Sequence, residues 1–167
     1  MRELLLLEAI AQHVRWVRLE PTLPEAHITL ANAYVLLSTL YAGPLKWGQE
    51  GQTAWFINRP SNQTLENKFR KSASKAIEEF QILCAYAPND PWVHLQLAYC
   101  YHDLAMPLEE IREYETILRL LPEDQETRFK LGSLYFQQDM NAKGLTIYEE
   151  LRTADPKRAE GLIRLYS

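Results

Sequence analysis

Pro88, Pro122 and Pro156 stand 34 residues apart, and other residue types keep step with them. Phe80, Tyr114 and Tyr148 share the interval, as do Leu97, Leu131 and Leu165, and Tyr101 and Tyr135. A sustained period of this length marks one helix–turn–helix unit copied along the chain. Each such unit buries its apolar face only by stacking on a neighbour. The period therefore predicts an all-α fold. It also directs function toward a surface made by stacking rather than toward a catalytic cleft.

Composition agrees. With 167 residues the chain is one domain, long enough to bury a core. An apolar fraction of 47% and a charged fraction of 24% are ordinary for a soluble domain. The net charge of −4 argues against wholesale nucleic-acid binding, which usually needs a strongly basic face. Cys84 and Cys100 form no C-x-x-C and have no close histidine, so they read as buried free thiols, which fits a cytoplasmic protein in a reducing cytosol. No apolar run approaches the ~20 residues of a membrane span, and the short Leu4–Leu7 run, interrupted by Glu8, is not a signal peptide.

Along the chain, Val93, Leu95, Leu97, Ala98, Tyr101 and Leu104 follow helical spacing after Asp90-Pro91, a capping carboxylate followed by proline at the first helical position. Met106-Pro107 ends that helix and starts another, which runs to about Leu121. The pair repeats as Gln125 to Gln138 and Ala142 to Ala154, and Asp155-Pro156 opens a last helix. The first helix, about Arg2 to Leu19, is placed as the second half of a unit, and Pro24 to Tyr34 opens the next. That unit is interrupted. Tyr41 to about Ser61 is rich in Gly, Pro, Asn and Gln, helix resumes near Asn62, and Ala76 falls 33 residues later than the ladder requires.

These residues resemble the tetratricopeptide repeat, whose pattern is W-x2-L-G-x2-Y, then A-x3-F, then P. The Leu-Gly pair is Leu30-Ala31, Leu97-Ala98 and Leu131-Gly132; the tyrosine is Tyr34, Tyr101 and Tyr135; Ala76 and Phe80 supply A-x3-F. The early tryptophan is replaced by His27, His94 and Arg128, and Glu110 and Gly144 stand where alanine is expected. The resemblance covers the chain except about residues 41–71. It implies a right-handed superhelix of about three full units plus flanking helices, with close helix crossings at Ala98 and Gly132. The two end helices read either as caps or as the edges of a segment of a longer array, with the apolar Leu162, Ile163, Leu165 and Tyr166 favouring the segment.

By the same resemblance, the first helix of each unit lines a concave groove. Carried onto this chain, the groove positions are Glu25, Ile28, Asn32 and Val35, then Trp92, Leu95, Tyr99 and His102, then Glu126, Phe129, Ser133 and Phe136. The stripe is largely apolar and aromatic and suits a peptide with apolar side chains. Tyr99 and Phe129 serve equally well as packing between repeats, and Asn32 is the best polar contact to a peptide backbone. One subgroup of the family clamps acidic chaperone tails, but Ile28 and Glu126 stand at lysine positions of that clamp and exclude it. The insertion is a second candidate site, carrying Trp47, Trp55 and Phe56; a loop beyond about 15 residues is usually functional or disordered. The alternative is that these aromatics cover apolar surface left by the broken ladder. The nearby Arg59, Lys68, Arg70, Lys71 and Lys75 read as a solvated helix face rather than an anion-binding patch.

No glycine-rich phosphate loop, nucleophile elbow, zinc-protease motif or calcium loop occurs, and His13, His27, His94 and His102 lack metal-ligand spacing. The sequence thus predicts neither a cofactor nor a metal nor a catalytic group. It reads as a non-catalytic adaptor holding a peptide or helical segment of a partner protein. Two other classes stay open: a chaperone of the type III secretion kind, and a regulatory or scaffold segment of a larger protein. Exposed end helices also offer a route to homo-oligomers.

Overall fold

The structure, a computed structural model, describes residues 1–49 and 60–166, without the side chains of 43–49, 60–62 and 165. Eight helices and no strand occur among the described residues. They are α1 (Arg2–Leu19), α2 (Pro24–Gln49), α3 (Pro60–Tyr86), α4 (Pro91–Asp103), α5 (Pro107–Leu120), α6 (Gln125–Gln137), α7 (Asn141–Ala154) and α8 (Pro156–Tyr166). The chain falls into two compact units, Met1–Pro88 and Asn89–Ser167.

The helix boundaries follow the local chemistry. Asp90 accepts a hydrogen bond from the Trp92 amide at 2.9 Å, and Pro91 follows it at the start of α4. Asp124 does the same for α6, accepting from the amides of Glu126 and Thr127 at 3.1 and 3.2 Å and from the Thr127 hydroxyl at 2.7 Å. Its carboxyl is buried enough to oppose the charge, yet these donors hold its pKa below the ordinary range. The α4–α5 and α6–α7 turns are copies. Ala105 and Asp139 take left-handed φ values of 54° and 57°. The next residue in each, Met106 and Met140, donates its amide to Tyr101 and Tyr135 at 2.9 and 2.8 Å. This left-handed closure satisfies carbonyls that the helix end would leave open.

The first unit is an antiparallel α2–α3 pair with α1 packed on α2. His27 meets Glu79 and Tyr41 meets Lys68, so the two long helices run in opposite directions. Ala26, Ala31 and Ala76 are fully buried between them, and Phe80 is wholly covered. Composition predicts a loop over 41–61, but helix occupies much of it: α2 continues to Gln49 and α3 begins at Pro60. Propensity is a weak term beside packing. Tyr41 and Ala42 on α2 and Phe69 on α3 are buried, so both helices are extended by tertiary contact. Pro60 sits at a first helical position, where its missing amide costs nothing.

The second unit stacks α4–α5, α6–α7 and α8. Its core holds Ala98, Ile111, Tyr114, Ile117, Leu131, Tyr135, Ile147, Leu151 and Leu162. The helix crossing expected at Gly132 is close: a Cβ there would stand 2.8 Å from Ile147 Cγ2 and from Leu162 Cδ2.

Candidate functional site

In the second unit the periodic positions of α4 and α6 converge. Tyr99 and His102 from α4 and Phe129 and Ser133 from α6 line one open cavity of about 360 Å³. These are four of the groove residues read from the sequence. The turn geometry above brings α5 beneath them, so Glu110 and Tyr114 complete the floor. Glu110 is 5% exposed. Both of its carboxylate oxygens lie 3.2 Å from His102 Nδ1. Burial pushes the Glu110 carboxyl above the ordinary range, against the pull of His102. Burial also pushes the Tyr114 hydroxyl up to about 12, with Glu110 adding to it.

At the rim, Lys130 Nζ stands 5.4 Å above the centre of the Tyr99 ring and 3.0 Å from Glu126. Burial disfavours its charge, but Glu126 and the neighbouring hydroxyls hold its pKa above the ordinary lysine value, so it remains a cation. The Ser133 hydroxyl donates to the Phe129 carbonyl at 3.0 Å rather than to His102. The site is thus an aromatic trough with a buried acid at its base and a fixed cation at its edge.

The remaining groove residues are placed differently. Trp92 is 40% exposed at the start of α4, and Leu95 is half-buried against the core of the second unit. Phe136 is buried, with its ring stacked on Tyr166 at 4.4 Å and pressed over Gly144. It also lines a smaller hollow of about 310 Å³ with Ser133 and Gln137. Asn32 is exposed and Val35 half-buried on α2, in the first unit. Trp55 and Phe56 lie outside the described residues, as does the side chain of Trp47.

Glu110, Tyr114, Lys130, Leu134 and Gln137 are the cavity residues that the groove positions miss. For Glu110 a signal existed: a carboxylate stands where the repeat pattern wants a small buried residue. Among the described residues no cluster of His, Cys, Asp and Glu is arranged to hold a metal ion, and no helix is long and apolar enough to cross a membrane. Neither Cys84 nor Cys100 is in a disulfide, and burial pushes the Cys100 thiol up to about 12.

No protein-family model matches the chain, and no curated protein matches it. Among solved structures it is similar to one described as "Crystal structure of YrrB: a TPR protein with an unusual peptide-binding site". The two are 16% identical, with a TM-score of 0.48, over 95% of this chain and 84% of that one.

Proposed function

We propose that this chain is a non-catalytic interaction module that holds a segment of a partner polypeptide. The observation that carries the reading is the open cavity of about 360 Å³ between α4 and α6, walled by Tyr99 and Phe129 above a floor of Tyr114 and the buried Glu110. Aromatic walls supply contact area at low entropic cost, and a few buried anchors dominate most protein interfaces. Glu110 adds direction, because a carboxylate in an apolar floor gains most from a donor delivered by the partner. An apolar side chain ending in a donor suits both features. The tied Ser133 hydroxyl favours binding over nucleophilic chemistry at the same place.

The test is selection of random peptides on the whole chain, followed by affinity measurement with Tyr99→Ala and Phe129→Ala. Each truncation is expected to weaken the selected peptides by roughly 30-fold or more, the size of an interface anchor, while helical circular dichroism is retained. Peptides that bind both variants as they bind the parent would rule out the cavity as the site.

A further inference from the structure

The first unit has a cavity of its own, about 300 Å³, where α1 and α3 rise on either side of α2. Its apolar part comes from Leu7 and Ile10 of α1 and Leu37 of α2, and its other wall from Lys68, Lys71 and Lys75 of α3. Leu7 is 43% exposed, and Leu4, one turn earlier on α1, is 71% exposed. Leu4, Leu7 and Ile10 fall at intervals of three and form one stripe; the lysines fall at intervals of three and four and form one row. The lysine row spans about 10 Å at 1.5 Å per residue. Both α1 and α3 run antiparallel to α2, since Tyr41, late in α2, reaches Glu3 at 2.8 Å and lies beneath Lys68, early in α3. Stripe and row therefore run side by side in the same direction.

The protein already places a carboxylate on this wall. Glu3 accepts from Lys68 Nζ at 2.8 Å and from the Tyr41 hydroxyl at 2.8 Å. Lys68 and then Tyr41 hold its carboxyl below the ordinary range. One and two turns further along α3, Lys71 and Lys75 present the same chemistry without a carboxylate from α1. Lys75 bonds the exposed Glu78 on its own helix, at 2.5 Å, a pair of little net strength that a better-placed acid displaces, and it also feels Tyr34 and Glu79.

We propose that this face is a docking site for an acidic amphipathic helix, whose apolar residues lie on the exposed Leu4 and Leu7, over the cavity floored by the buried Leu37, and whose carboxylates meet Lys71 and Lys75. A row of cations beside an apolar stripe calls for the complementary arrangement on a helix with the same turn spacing. It fits such a helix better than a single headgroup, which would use one cation and leave the row idle. The site is independent of the α4–α6 cavity and uses none of its residues.

The experiment uses the whole chain and two synthetic peptides of about 14 residues, roughly four helical turns. One carries leucines on one face and glutamates beside them; in the other, lysines replace the glutamates. The acidic peptide is expected to bind, with affinity falling about tenfold or more when salt is raised to about 0.5 M. The basic peptide is expected not to bind. The double variant Lys71→Glu with Lys75→Glu should reverse the preference, and Leu7→Ser should weaken the acidic peptide without altering its salt dependence. Leu7 and Lys71 are exposed and Lys75 half-buried, so both variants are expected to fold, which circular dichroism checks. Equal binding of the two peptides, acidic binding that survives the charge reversal, or no binding at about 1 mM overturns the proposal. Preferential binding to anionic phosphatidylglycerol vesicles over the acidic peptide overturns it equally and assigns the face to lipid.

Discussion

At the scale of single residues, positions 34 apart show two solutions to one packing problem. His102 and Glu110 face each other across the α4–α5 pair; Phe136 and Gly144 are their counterparts across α6–α7. The repeat pattern asks for alanine at 110 and 144, and both departures follow from the opposite residue. At 102 a histidine leaves room and a donor for a carboxylate. At 136 a phenylalanine ring takes all the space, so that a Cβ on residue 144 would stand 2.6 Å from its Cε1. Gly144→Ala is expected to lower stability, by up to about 2 kcal/mol, the overpacking cost less the helix-propensity gain. Phe136→Leu in the same chain should return most of the loss. Thermal unfolding of the two variants checks both statements, and a Gly144→Ala protein as stable as the parent would contradict the packing account.

At the scale of elements, the positions where tryptophan is missing hold the helix pairs together by another means. His27 on α2 places Nδ1 2.6 Å from Glu79 on α3 and Nε2 2.9 Å from the Pro21 carbonyl. His94 on α4 meets Glu113 on α5 at 2.6 Å. Arg128 on α6 reaches both the Pro122 carbonyl and Glu150 on α7, the latter at 3.2 Å. Each clasp links one helix to the next, through side-chain hydrogen bonds at His27 and His94 and an ion pair at Arg128, and His27 and Arg128 also meet the carbonyls of Pro21 and Pro122. With acceptors on both ring nitrogens, His27 satisfies both only as the cation. Burial opposes that charge, but the Pro21 carbonyl and Glu79 outweigh it and raise the pKa above the ordinary histidine value. A raised folded pKa means stability fully present below the unfolded value of about 6.5 and lost as pH rises through the folded one. His27→Gln should therefore destabilise the protein by about 1–3 kcal/mol near pH 5.5, the range for a charged hydrogen bond, and by clearly less near pH 9. A pH-independent difference in unfolding midpoint would show that the clasp acts through packing alone.

At the scale of the molecule, the two units each have their own covered core, one around Phe80 and one around Leu151 and Leu162. Residues 89–167 expressed alone are expected to be helical and to unfold cooperatively, which circular dichroism during a urea titration tests; a non-cooperative transition would show that this core depends on the rest of the chain. The helix–turn–helix plan was legible in the sequence because proline spacing, Asp90-Pro91 and Asp155-Pro156 act locally, through φ restriction and capping. Tyr99, His102, Phe129 and Ser133, which the resemblance implies as groove positions, line the α4–α6 cavity. Glu110 at the cavity floor, the buried Phe136 and the helical extent of α2 and α3 were not legible. Each depends on what stands opposite: a histidine, a glycine, or the partner helix that buries Tyr41 and Phe69. By itself the sequence determined which segments are helical units and how often they recur, because those choices are settled within a few residues along the chain. The tertiary structure alone decided which of the periodic side chains share a cavity and which pack out of reach, because burial is set by neighbours distant in sequence.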